Sequence, residues 1–317
     1  MDRHQGGQTG QKRRQEAYFE SLKMQFQYSI AILTVSRPKH AQVLHNILQT
    51  VSNLENASPV HVFWGGRFST NSSEHAVLSE VSSAYSWVHV HHLPGKMYSM
   101  VPRRRRLIRS LNPGHTYGPN QHANFLHALW HCSRDGARNG SIVLEDDVIL
   151  SQSFQTLFEK ILHHLSLSAP AIVSLYTPHK PEREKSVDSH GVIRVYPPAN
   201  FFGNQALYFT PPALRLATKF FYENTHTRMF RGLADFVIKA MGRSDCFYQR
   251  IYNASMEPWG CKEKLFPLPI YMPVVSLAQH DRWPSGMKTA HHKANVFYDD
   301  LSTSRKEGVL AKLSQSD

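Results

Sequence analysis

The chain of 317 residues is short of cysteine, of acidic residues and of long apolar runs. Its three cysteines, Cys132, Cys246 and Cys261, cannot build a disulfide framework, and none stands at the spacing of a zinc motif. A reducing compartment is the default expectation. No apolar run approaches the roughly 18–20 residues of a membrane span. The opening stretch MDRHQGGQTGQKRRQEAYFE lacks the apolar segment of a secretory signal and reads as a polar arm over 1–27. Only 24 Asp and Glu face 36 Lys and Arg, which leaves a formal net charge of +12. That excess points to a polyanionic partner: nucleic acid, anionic membrane or a phosphorylated ligand. The basic residues concentrate in PRRRRLIR, where Arg103 to Arg106 and Arg109 form either a solvated loop or a patch for an anionic membrane. Nothing resembles an RNA-recognition, KH or zinc-finger signature, so no specific nucleic acid is expected.

What is present is ordinary globular material, 41% hydrophobic and 19% charged, enough for one large α/β domain or two modest ones. YSIAILTV (28–35) is a continuous apolar strand of the kind buried on both faces. HAQVLHNILQTVSNL then carries Val43, Leu44, Ile47, Leu48, Val51 and Leu54 in a helical stripe. PVHVFWGG and SWVHVHHL read as strands flanking a helix at 73–83. A basic loop over about 94–118 precedes a helix whose Phe125, Leu126, Leu129 and Trp130 are expected to face the core. That helix delivers the chain to the strand SIVLEDD. A helix over 151–165, a strand over 171–177, a strand over 203–210 and the helix opened by Pro211 and Pro212 follow. GLADFVIKAM (232–241) is a short helix, and YMPVVSLAQH (271–280) ends in a late strand. Alternation of this kind implies a mainly parallel sheet with helices on both faces.

The segment GSIVLEDDVILSQSF sets the chemical question. Glu145, Asp146 and Asp147 end an apolar strand, where adjacent like charges repel and unpaired burial is costly. A hard divalent cation, Mn²⁺ or Mg²⁺, would offset that repulsion, since both favour oxygen ligands. Period-two geometry sends Glu145 and Asp147 to one side of the strand and Asp146 to the other. A metal can then take Asp147, with or without Glu145, while Asp146 meets a ribose or sugar hydroxyl. The bland reading is a solvent-facing acidic strand end with no ligand. HVHH (89–92) invites a zinc reading, because His89 and His91 can share a face; no third ligand stands at recognisable spacing, so it reads as structural or surface.

VLEDDV after a strand, preceded by a long helix and followed by F-x-x-L-F, resembles the metal-binding acidic motif of GT-A-fold glycosyltransferases. These are nucleotide-sugar-dependent enzymes whose motif is often D-x-D, with E-D-D a variant. Other stretches are similar in the same order: IAILTVSRPKHAQVLHNILQTVSNL to the nucleotide-binding opening unit, FFGNQALYFTPPALRLATKFF to the sugar-contacting segment, RGLADFVIKAM to the helix with a catalytic aspartate, and PVVSLAQHDRWPSG to the late strand with a metal-binding histidine. The N-acetylglucosaminyltransferase IV type and the related enzymes that modify glycosylphosphatidylinositol share the E-D-D strand end and the S-L-x-Q-H element, here Ser276 to His280. Lipooligosaccharide glycosyltransferases with L-E-D-D come second. Asp281 and Arg282 follow His280 where the first type has a glycine-containing, serine-rich stretch.

The resemblance implies a GT-A-like, Rossmann-like mixed sheet in a single catalytic domain over 28–290, with a nucleotide-binding half to about 150, an acceptor half beyond it and a polar tail over 291–317. It implies sugar transfer from a nucleoside diphosphate sugar, a UDP-sugar and UDP-N-acetylglucosamine first, to a hydroxyl of a glycan or glycolipid acceptor, with inversion. Asp147 and His280 would hold the metal, and Glu145 and Asp146 would flank it. Thr34 and Arg37 of the opening loop would meet base and ribose. Asn124, with Asn120 and Gln121, either faces the donor or is an ordinary helix-start polar residue. Lys39 or the arginine cluster would contact the diphosphate. Asp235 would take the acceptor proton, with Glu223, Asp245 and Glu257 as substitutes. The rival readings are a metal-dependent phosphohydrolase or nuclease acting on nucleic acid, and a basic binding module without catalysis. The expected location is the cytoplasm or a membrane surface for a prokaryotic or viral chain, and the Golgi lumen if an anchor precedes this sequence.

Overall fold

The computed structural model describes residues 27–35, 39–54, 57–65, 73–93, 118–135, 139–177, 193–195, 205–223, 268–280 and 296–314. The first half is strand–helix alternation. Strand β1 (Tyr28–Thr34) is buried at every position, as its unbroken apolar run requires. Helix α1 (His40–Ser52) buries Val43, Leu44, Ile47, Leu48 and Val51 along one stripe. Strand β2 (Ala57–Trp64), helix α2 (Ser73–Ala84), strand β3 (Val88–His92), helix α3 (Gly118–Arg134) and strand β4 (Ser141–Glu145) complete that half. Strand β1 pairs in parallel with both β2 and β4, and β2 pairs in parallel with β3.

The second half inserts antiparallel strands. It contains β5 (Val148–Leu150), α4 (Phe154–His163), β6 (Ile172–Ser174), β7 (Ile193–Val195), β8 (Ala206–Phe209), α5 (Pro211–Glu223), β9 (Ile270–Pro273), β10 (Ala278–His280) and α6 (Thr303–Ser314). One sheet of eight strands runs β3-β2-β1-β4-β8-β6-β9-β7, and a separate ribbon joins β10 to β5. Strand β8 is antiparallel to β4 and β6, while β6 and β9 are parallel. The architecture is therefore an α/β mixed sheet, Rossmann-like in its first half, with helices on both faces. Ile30, Ile32 and Leu144 point into one apolar layer with α1, α2 and α4, whereas Ala31, Leu33, Phe63 and Val143 point into another with α3 and α5.

Three details differ from the sequence reading. Val148 to Leu150, unassigned between the acidic strand end and the helix expected over 151–165, form β5 after the turn at Asp146 and Asp147, and the helix starts at Phe154. Trp130, expected in the core, is 42% exposed, and the Arg134 guanidinium lies 4.7 Å from its ring centroid. The buried face of α3 is instead set by Phe125, Leu126, Ala128, Leu129 and Cys132. Residues 296–314, within the expected polar tail, are built in: Phe297, Tyr298 and Leu313 are buried, and Asp299 accepts hydrogen bonds from the Ser151 hydroxyl and the Gln152 amide.

Gly140 sets the start of β4. Its φ is +98°, and a Cβ there would overlap the Phe209 carbonyl oxygen. Left-handed backbone and a backbone neighbour leave no relief for a side chain. Gly140→Ala is expected to destabilise the fold by about 2 kcal/mol or more in urea denaturation.

Imidazoles interleave the α3 layer. Burial, with neighbouring His131, pushes His61 and His91 down to about 3 and His127 to about 4. Asp135 opposes the shift at His91 without reversing it. The unfolded chain binds these protons near pH 6.5, so the stability of the neutral cluster is complete above about 6.5 and is lost as pH falls toward about 3. The melting temperature is expected to drop between about pH 7.5 and about pH 5, and the drop should shrink in His127→Gln.

Candidate active site

Strands β1 and β4 lie side by side, but the chain reaches β2 and β3 from one side of β1 and β4 from the other. This is a switch point in strand order, and its carboxyl-end crevice is where open α/β sheets bind ligands. Leu33 of β1 pairs with Glu145 of β4, so Thr34 and the Asp146-Asp147 turn emerge together there.

Asp146 is 1% exposed. Its Oδ2 accepts a hydrogen bond from the Thr34 hydroxyl at 2.5 Å, and its amide donates to the Leu33 carbonyl at 3.1 Å. The Thr34 oxygen in turn lies 2.8 Å from His40 Nε2. With its single proton given to Asp146, Thr34 accepts from His40, which therefore carries its proton on Nε2. His40 is held against Trp64, ring centroids 5.2 Å apart. This buried chain anchors one carboxylate and aims the next one.

Asp147 belongs to a different set. Strand β10 pairs antiparallel with β5, placing His280 opposite Val148. His280 Nε2 is 3.5 Å from Asp147 Oδ2, and one ligand atom from each of Glu145, Asp147 and His280 lies within 4.8 Å of the others. Two donors of one ion with bonds of about 2.0–2.2 Å lie about 3–4 Å apart, so the three can share an ion with little adjustment. Two carboxylate oxygens and one imidazole suit Mn²⁺ well, and Mg²⁺ less because of the nitrogen. Tyr176 stands close to this set, its phenol pushed above the ordinary range by burial and by the Glu145 charge. No local pattern marks Tyr176 or His40, since their places depend on how the strands are laid side by side.

The turn thus divides the carboxylates as strand alternation would, although Asp146 and Asp147 are not in a strand. Thr34 is buried against Asp146, and Asn124 is buried with its Nδ2 donating to the Phe63 carbonyl at 2.9 Å. Asn124 also touches Gly65, where a Cβ would come within 3.2 Å of it, so it ties α3 to the carboxyl end of β2. Both residues are placed as supports of the crevice. Lys39 enters α1 with φ +58°. Arg37, Asp235 and Arg103 to Arg106 lie outside the described residues, as do the side chains of Asn120 and Gln121.

No protein-family model matches the chain, and no curated protein matches it. Solved structures of glycosyltransferases align with it loosely. An active-site mutant of LgtC aligns at 13% identity over 91% of this chain and 97% of that one, with a TM-score of 0.39. The galactosyltransferase LgtC in complex with donor and acceptor sugar analogs aligns at 11% identity over 91% and 97%, with a TM-score of 0.40. Mouse xyloside xylosyltransferase 1, apo form, aligns at 11% identity over 81% and 98%, with a TM-score of 0.38.

Removing the Thr34 hydroxyl would leave a buried carboxylate short of a donor. Thr34→Val is expected to cost about 1–3 kcal/mol in urea denaturation, more than Thr50→Val on the exposed face of α1.

Proposed function

We propose that this protein is a metal-dependent glycosyltransferase that moves a sugar from a nucleoside diphosphate sugar, with a UDP-sugar as the first candidate, to a hydroxyl of a glycan or glycolipid. The observation that carries the reading is the convergence of Glu145, Asp147 and His280 at the switch-point crevice. An oxygen-rich set there suits a cation that a diphosphate also ligates. A divalent ion held by these residues supplies charge neutralisation for the departing diphosphate.

The chain's own residues do the rest in this reading. Asp146, fixed by Thr34 and His40, holds the turn rigid, so that Asp147 is presented with little freedom. That is the pre-organisation a transferase needs at its leaving group. The acceptor oxygen forms a bond to the anomeric carbon while the bond from that carbon to the diphosphate breaks. The acceptor proton passes to a carboxylate, for which Asp235 is the assignment when the reaction inverts.

Thermal-shift titration with UDP, GDP, CDP and ADP, each with and without Mn²⁺, tests the binding half. One nucleoside diphosphate should stabilise the protein only with Mn²⁺ and not in Asp147→Asn, since a ligand selective for the native state raises its stability by mass action. No shift with any nucleotide would sink the reading. Asp235→Asn tests the chemical half: nucleotide binding should persist while transfer falls about 10²–10⁴-fold.

A further inference from the structure

A second cluster of donors lies in the α3 layer and shares no residue with the carboxylate site. His61 of β2 and His91 of β3 meet His131 of α3, with ring centroids 4.9 Å (61–91), 4.6 Å (61–131) and 4.1 Å (91–131) apart. One nitrogen from each lies within 4.8 Å of the other two. Asp135, one helical turn past His131, places Oδ2 2.9 Å from His61 Nε2 and 2.8 Å from His131 Nδ1. We propose that His61, His91 and His131 form a binding site for a Zn²⁺-class transition-metal ion, with the Asp135 carboxylate beside two of the three imidazoles.

The donor chemistry selects the ion. Three neutral imidazoles suit Zn²⁺ and its relatives Co²⁺ and Ni²⁺, and are a poor match for Mg²⁺ or Ca²⁺. Asp135 adds a carboxylate oxygen within ion-pair distance of two of the rings. An outer carboxylate beside a ligand histidine is a recurrent arrangement around zinc. His61 Nδ1 lies 2.8 Å from His91 Nε2, a ring-to-ring hydrogen bond that a bound ion would replace.

The scaffold holds the ligands still. His61 and His89 are register partners, as are Phe63 and His91, so the strands fix the two imidazole positions. Phe63 stacks on His91 at 4.7 Å and 15°. Burial keeps His61 and His91 neutral at neutral pH. His61 is enclosed, whereas His91 and His131 are part-exposed, which opens a route for the ion and a coordination position toward solvent. Such an ion would staple the edge strand β3 to β2 and α3. The inference stands apart from the transferase reading and from the carboxylate site.

The test uses the full chain carrying Asp147→Asn, so that the other donor set does not compete. Titration with Co²⁺, read by visible absorption and reversed with Zn²⁺, is expected to show one equivalent bound. Combining His91→Gln with His131→Gln should weaken binding at least about 100-fold, and Asp135→Asn should weaken it by about 10–100-fold. Absence of Co²⁺ binding, or an unchanged affinity in the double variant, would leave only a hydrogen-bonded histidine–aspartate network. Should the double variant fail to fold, zinc-edge X-ray absorption on the parent decides. Three imidazole nitrogens at about 2.0–2.1 Å support the site, and fewer overturn it.

Discussion

Asp146 is a carboxylate with almost no contact with water, and the crevice is built around making that tolerable. An isolated buried charge costs several kcal/mol, so the fold must bring donors to it. It does so through Thr34, which ends the neighbouring strand and donates to the carboxylate, while the Asp146 amide is tied to the Leu33 carbonyl. The parallel register of β1 with β4 is what makes the two strand ends coincide. A shift of that register by one residue would separate the hydroxyl from the carboxylate and turn every apolar side chain of β1 to the opposite layer. The anchoring of Asp146 and the burial of the central strands are therefore one constraint.

From that anchor the rest of the site follows outward. With Asp146 turned inward, Asp147 projects to the other side of the turn. The chain then reverses into β5, which would present an unpaired edge without β10. Pairing with β10 closes that edge and brings His280 beside Asp147. The ribbon is itself held by the late segment. Ser276 bonds to the Leu175 and Ala278 carbonyls, and its amide and carbonyl pair with the 296–298 stretch. A histidine far along the chain thus becomes a neighbour of the acidic turn through backbone pairing rather than through a local motif.

The two layers flanking the sheet divide the chemistry. The crevice at the carboxyl ends gathers oxygen donors with one imidazole, a set suited to a hard cation. The α3 layer gathers imidazoles among aromatic rings, a set for a borderline ion or for a neutral hydrogen-bonded network. Each donor set lies where its surroundings favour it. The carboxylates gather at the strand ends, with Asp146 and Asp147 buried and Glu145 half-buried, and burial lowers the basicity of His61, His91 and His127 in the other layer.

The sequence by itself settled the alternation of strand and helix, the two-sided burial of β1, and the position of the acidic cluster at a strand end. Hydrophobic period and continuity carry that information locally. The motif pointed to Asp147 and His280 as a pair, but only through resemblance, because no spacing rule connects residues so far apart. Tertiary structure decided the remainder. It made β5 a separate strand, turned Trp130 outward, and set Thr34 and Asn124 as buried supports. It also gave His91 the partners that HVHH lacks in sequence, since His61 and His131 approach it only once β2, β3 and α3 are packed together. Period tells which face of a strand or helix is apolar. Which faces meet is fixed by strand order and register, and those arise from long-range pairing that no local window contains.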